Sequence, residues 1–247
     1  MRLTIIGSGD AFGSGGRHNT CFHLVAGDRT VLVDCGASAP VALRARNIDP
    51  NSIDAIVLSH LHGDHFGGIP FLMLDGQYLS RRERLLLFAG PSGTAERINA
   101  AMEVFYPNST KTKYRFPWSV TEIPVGKPTD VLGLNVVSAE VLHSSGAPST
   151  ALRVSDGKKT LAYSGDTQWT EALLAVAAGA DLFICECYEY ERELTGHMNW
   201  MTIKQRLKDF TARRVMVTHM NASMLARIDE AKAAGVLIAE DGLVLDL

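Results

Sequence analysis

The order of apolar runs predicts an α/β fold, one domain over residues 1–247, and fits two sheets face to face with helices outside, a four-layer αββα sandwich. Three observations lead there. Short apolar runs alternate unevenly with longer amphipathic stretches, and the plan occurs twice. At 247 residues, 46% hydrophobic and 21% charged, the chain can bury a substantial core, and no linker divides it. A dense polar loop, His60-Leu61-His62-Gly63-Asp64-His65, follows directly on one apolar run. Periodicity alone is equally compatible with a three-layer α/β fold.

The elements follow from local pattern. Residues 3–6 are a short apolar run stopped by Gly7, so a strand, followed by a glycine-rich loop. Strands at 21–26 and 30–34 and a helix at 40–46 precede the buried strand 54–58, apolar and bounded by polar residues. Loop glycines Gly67 and Gly68, then Pro70, open a helix over 69–79. A strand at 85–89 leads to a helix over 92–106, for which Ser92 is the N-cap candidate. The second half gives strands near 120 and at 131–141, 149–154 and 160–164, then a helix at 170–178. A strand at 182–185, a helix at 201–210, a strand at 215–218, a helix at 223–234 and two short closing strands complete it.

Composition limits the partners. With 24 Lys plus Arg against 27 Asp plus Glu, the net charge of −3 provides no global field for nucleic acid or an anionic membrane. No stretch approaches the roughly 18–20 apolar residues of a membrane span, and the opening run is too short for a signal peptide, so a cytoplasmic protein is expected. Four cysteines do not make a disulfide framework. Cys21 and Cys35 read as packed thiols, as do Cys185 and Cys187, which lack the second pair that a sulfur metal site needs.

The loop His60 to His65 carries the chemistry. Where the chain is extended, alternate residues share a face, so His60 and His62 can hold one ion. Asp64 and His65, past the turn, reach a second about 3.5–4 Å away. This H-x-H-x-D-H motif after a strand resembles the signature of the metallo-β-lactamase superfamily. That family's later positions also occur in order: His143 after an apolar run, Asp166 in Ser164-Gly165-Asp166-Thr167, and His219 ending a strand. The resemblance implies the αββα fold, and it implies that His60, His62 and His143 hold a first metal and Asp64, His65 and His219 a second, with Asp166 bridging. The division of these residues between the two halves fits a site in the cleft between them. Imidazole suits zinc, while manganese or iron accept overlapping donors. Two such ions lower the pKa of bound water towards ~7 and make water the nucleophile. Asp64 could also accept a hydrogen bond from that water. A related iron-using branch carries H-x-E-x-D and a flavin domain; His62 at the middle position, and no residues for a second domain, favour hydrolysis over redox chemistry.

Within the superfamily, the segment Leu3 to Ala11, Arg17-His18-Asn19-Thr20 and Gly196-His197 are similar to ribonuclease Z and its phosphodiesterase relatives. The resemblance implies that His197 protonates the leaving oxygen, help that a diester needs; the alternative is a loop histidine capping the helix near Met201. Asp34, in a D-x-G position, would orient metal ligands, or else only start the turn before Gly36. Two departures stand out. Only 23 positions separate His143 from Asp166, leaving no room for the transfer-RNA-gripping arm of ribonuclease Z, and Cys185 replaces that family's histidine before Glu186. The expectation is a phosphodiesterase for a small phosphodiester or cyclic nucleotide. A transfer-RNA 3′-processing endoribonuclease comes next, then a carboxylic ester, thioester or lactone hydrolase, and last a non-catalytic metal-binding protein. Loop position makes Arg17, His18, Ser144, Ser145 and Asn199 candidates for phosphate contact, and Tyr188, Trp200 and Met220 candidates for the pocket wall. The 106–118 loop interleaves aromatics with bases, and reads as a base-stacking loop, a lid or a homodimer contact. A small ester is the expected partner; nucleic acid is not favoured, and no membrane is involved.

Overall fold

A computed structural model describes residues 1–247. The first half runs β1 (Arg2–Gly7), β2 (Cys21–Ala26), β3 (Arg29–Val33), α1 (Ala39–Ala45), β4 (Ala55–Val57), α2 (Gly63–Phe66), α3 (Ile69–Tyr78), β5 (Leu86–Gly90), α4 (Thr94–Phe105) and β6 (Trp118–Glu122). The second runs β7 (Thr129–Val131), β8 (Leu134–Glu140), β9 (Thr150–Ser155), β10 (Thr160–Tyr163), α5 (Ala172–Ala177), β11 (Leu182–Glu186), α6 (Trp200–Arg206), β12 (Val215–Thr218), α7 (Ala222–Leu225), α8 (Ile228–Ala233), β13 (Leu237–Ile238) and β14 (Val244–Asp246).

Two seven-stranded sheets result, ordered β14-β1-β2-β3-β4-β5-β6 and β13-β12-β11-β10-β9-β8-β7. Three apolar clusters establish the layering. One joins Leu3, Phe22 and Val57 of the first sheet to Val136, Tyr163 and Ile184 of the second. Another packs the outer face of the first sheet (Leu32, Ile56, Phe88) on α1, α3 and α4. The third packs Ala162, Phe183 and Val217 on α5, α6 and α8. Three apolar interfaces make four layers, the αββα sandwich expected.

In each sheet part of the strands are parallel: β3 to β6 in one, β10 to β13 in the other. The carboxyl ends of such strands are where ligand-binding loops collect in α/β sheets. Residue 34 follows β3, residue 60 follows β4, residue 166 follows β10 and residue 219 follows β12.

Several boundaries differ from the sequence pattern. The run 131–141 is a hairpin: Leu132 (φ 56°) and Gly133 (φ 89°) form a two-residue turn, pairing Val131 with Leu134. Ser92 is not the cap of α4, whose N-cap position is held by Gly93 in a left-handed conformation. The stretch 223–234 is two helices, broken where Arg227 leaves helical geometry (φ −125°). The closing strands separate: β13 pairs with β12, whereas β14 crosses to pair with β1. In the 106–118 loop Phe116 is buried in the outer core beside Tyr114, so these aromatics serve packing.

Candidate metal centre

The motif loop turns into a helix one residue after His62, so His60 and His62 approach on extended backbone while Asp64 and His65 lie on α2. Two sets of donor atoms converge on the motif loop. His60, His62 and His143 form one; Asp64, His65, Asp166 and His219 form the other; Glu186 and His197 gather with Asp166 and His219 in a further group, and Asp34 with His60 and His65 in another. His143 Nε2 lies 2.9 Å from His62 Nδ1. In the second set His65 Nε2 is 3.3 Å from Oδ2 of both Asp64 and Asp166, and His219 Nε2 is 3.1 Å and 3.4 Å from the same two atoms. Asp166 Oδ2 is also 3.9 Å from His60 Nε2, so it stands between the sets.

These spacings test the fit of a metal. Around a tetrahedral ion with bonds of 2.0–2.1 Å, donors sit about 3.3 Å apart. Moreover His60 Nε2, His65 Nε2 and Asp166 Oδ1 are buried in this cluster without a hydrogen-bond partner. Unpaired polar atoms are costly in a protein interior, and three together fit a centre completed by cations.

The rings are oriented from behind. Asp34, buried at φ 57°, accepts from Ser59 N and Ser59 Oγ at 2.7 Å each and from His65 Nδ1 at 2.7 Å. Ser59 Oγ in turn meets His60 Nδ1 at 3.0 Å. One carboxylate thereby fixes a ring in each set, leaving both Nε2 atoms aimed inward. His143 Nδ1 donates to the Gly196 carbonyl at 2.8 Å, which also leaves its Nε2 inward. At Gly196 a Cβ would meet His143 Nδ1 at 2.9 Å; at Gly165, φ 60°, a Cβ would meet the Thr150 carbonyl at 2.6 Å. Only glycine permits these two approaches, which bring His143 and Asp166 to the centre. His219 itself adopts φ 60°, the kind of local strain that clusters at functional sites.

Burial lowers the pKa of His60, His62 and His143, with neighbouring imidazoles adding to the effect, and so favours the neutral rings that bind metals. His197 goes the other way. Burial opposes its charge, but Glu186, and then Asp166, raise its pKa to about 9. Its Nδ1 is 3.3 Å from both Glu186 oxygens and 4.0 Å from Asp166 Oδ2. The ring stacks on His219 at 5.7 Å and lies 4.9 Å from Tyr188. Glu186 is wholly buried, and its carboxylate also accepts the Thr167 N–H. Sequence reasoning missed this partner. The available signal was a carboxylate between two cysteines at the end of an apolar strand, where a buried charge requires a partner.

The remaining candidates divide. Trp200 and Met220 are fully buried in the outer core of the second sheet, so they are not pocket walls; Tyr188 does flank the centre. The Arg17 guanidinium turns to Ser8 Oγ and the Ala239 carbonyl. Ser145 Oγ donates to the Ala147 carbonyl within its own loop, and the Asn199 carboxamide caps α6 by accepting Thr202 N at 2.8 Å. These three are committed to internal bonds. Ser144 is exposed. His18 Nδ1 donates to Asp241 at 2.7 Å while its ring stays partly open to solvent. Asp241 also accepts from Ser8 N and Oγ, and the Ser8 carbonyl receives His219 N–H, tying the strand crossover to the centre.

A family model described as Anti-Pycsar protein Apyc1 matches residues 1–241. The probable metallo-hydrolase YhfI of Bacillus subtilis is 27% identical over 228 residues, 89% of this chain and 87% of YhfI. Its crystal structure aligns with TM-score 0.80 and 24% identity over 99% of both chains, a likeness of fold. The short form of human tRNase Z aligns with TM-score 0.78 and 23% identity over 100% of this chain and 99% of that one. Anti-Pycsar protein Apyc1 of Paenibacillus sp. (strain J14) is 39% identical over 89 residues, 36% of each chain. No helix is long and apolar enough to cross a membrane. The two donor sets lie on a fold shared with named metallo-hydrolases, and the match over residues 1–241 is decisive: the chain belongs to the Anti-Pycsar protein Apyc1 family, metal-dependent hydrolases of the metallo-β-lactamase fold in the ribonuclease Z and phosphodiesterase branch.

Proposed function

We propose that the protein is a phosphodiesterase that opens the ring phosphate of a cyclic nucleotide, with zinc as the metal. The observation that carries this reading is the Glu186–His197 pair. A histidinium held by a buried carboxylate, beside Asp166 and stacked on His219, is a proton donor in position for a leaving alkoxide. An acyl ester with an activated leaving group has less need of one. The anti-Pycsar description of the family is in keeping with a cyclic-nucleotide substrate.

His60, His62 and His143 would hold one ion, Asp64, His65 and His219 the other, and Asp166 both. Two divalent cations bound there would supply an attacking water at neutral pH and neutralise phosphoryl charge. Asp34 and the Gly196 carbonyl keep the imidazoles aimed inward, and Asp64 would accept a hydrogen bond from that water while ligating. His197 delivers its proton to the departing oxygen, with Glu186 stabilising the charged ring until transfer.

The test is hydrolysis of bis(p-nitrophenyl) phosphate and of 3′,5′-cyclic nucleotides by zinc- or manganese-reconstituted protein, with His62→Ala as the blank. Release with both substrates, abolished in the variant, is expected. No release from fully metallated protein would overturn the reading and favour acyl esters, thioesters or lactones.

A further inference from the structure

A cleft of about 300 Å³ opens beside His197, bounded by Leu142, Gln168, Trp169, Thr202, Gln205 and Arg206. Its size is at the lower end for small-molecule sites, enough for one compact ligand and not for a polymer track. Two of its polar side chains are uncommitted: Gln168 and Gln205 make no side-chain hydrogen bond within the protein, while Asn199 caps α6, Arg206 reaches Asp209 at 3.5 Å and the Gln168 backbone is fixed by the Leu142 carbonyl. An amide offers both donors and an acceptor, the combination that reads the edge of a nucleobase.

A planar surface is present as well. The Arg206 guanidinium carbon lies 5.1 Å over the Trp169 ring, which Phe210 supports from 5.8 Å. Trp169 Nε1 donates to Glu171, fixing the indole plane. Arg206 therefore lies against an anchored ring while its own side chain is half exposed. Nucleobases stack on guanidinium planes as they do on aromatic rings. A second, larger cleft of about 550 Å³, against Leu61, has Arg97 and Glu96 but no ring, and His197 does not line it.

Position selects between the two. When a cyclic phosphate opens, the nucleoside remains attached through the oxygen that does not leave, and the sugar carrying both oxygens must lie on the side of the proton donor. With His197 as that donor, the base is directed to the cleft that His197 lines. We propose that this cleft binds the nucleobase of the cyclic nucleotide, stacked on Arg206 with its edge met by Gln168 and Gln205. The inference rests on the phosphodiesterase reading above.

The test compares wild type, Arg206→Lys, Trp169→Ala and Gln168→Ala on cAMP, cUMP and bis(p-nitrophenyl) phosphate. Arg206→Lys keeps the charge and removes the plane. Expected is a rise in KM for the cyclic nucleotides of about tenfold, within the range of a lost stacking contact, several times larger than any change for the base-free diester. Titration of each protein with the nucleoside 5′-monophosphate, followed by isothermal calorimetry, should show the same loss of affinity without turnover. If Arg206→Lys and Gln168→Ala bind nucleotide as wild type does, or weaken all three substrates equally, the cleft assignment is overturned while the diesterase reading stands. If wild type hydrolyses none of the three, the diesterase reading fails, and the cleft assignment with it.

Discussion

Replacing Glu186 with Gln tests how the site holds its proton. The buried carboxylate meets His197 Nδ1 at 3.3 Å and is the largest of the influences that raise the ring to about 9 against the effect of burial. Asp166 also contributes, but it is shared with the set of Asp64, His65 and His219, whereas Glu186 lies outside that set and meets His197 and the Thr167 N–H. Without the carboxylate, the ring falls towards its ordinary value near 6.5. At pH 7.5 a group of pKa about 9 is roughly 97% protonated and one of 6.5 roughly 9%. Since the ring must carry its proton to act, turnover of an alkyl diester should drop about tenfold at pH 7.5 and recover as the pH is lowered through 6.5. A p-nitrophenyl diester, whose leaving group departs unprotonated, should change little. The assay is kcat against pH for both substrate types, with metal content measured in parallel. Equal losses on both substrates, or an unmoved alkaline limb, would refute the proton-donor role and leave Glu186 as a structural carboxylate.

Other perturbations act elsewhere in the same network. Asp34→Asn removes the acceptor shared by Ser59 and His65, and should weaken metal retention about 10- to 100-fold, read as metal content after dialysis against a graded chelator series. Chelation should lower the Tm: at a free metal concentration of 100 Kd a bound ion stabilises by about 2.7 kcal/mol, or about 5–10 °C for a chain of this length. An unchanged Tm would mean that the cluster does not need cations in the folded state. Asp241 lies below the usual carboxylate range, because bonds from His18 and Ser8 outweigh burial. Its contribution is therefore fully present above about pH 4 and lost as the pH falls through its lower folded value. Asp241→Asn should cost about 1–2 kcal/mol at neutral pH and flatten the acid limb of stability, measured by urea denaturation at pH 7 and below pH 4.

The motif residues and the order of elements were readable because both are local. Ligand spacing in His60 to His65 and alternation of apolar runs survive in one dimension, and together with the family resemblance that the motif carries they led to the sandwich and to the residues that converge. Turn chemistry was also local but less visible: a single run, 131–141, hid a two-residue turn at Leu132-Gly133, where a leucine takes the left-handed conformation. What remained out of reach depends on distance through space. The pairing of Glu186 with His197, the shared grip of Asp34 on Ser59 and His65, and the tie from Asp241 to Ser8 link residues 11 to 233 positions apart. So too does the fate of Trp200, Met220 and Arg17, drawn inward by packing and carbonyl partners. The order of residues alone supplies the donor atoms and most of the element boundaries. Which side chains are buried together follows from the packing of the two sheets, and burial sets protonation and orientation, because a charge or lone pair removed from water must find a specific partner.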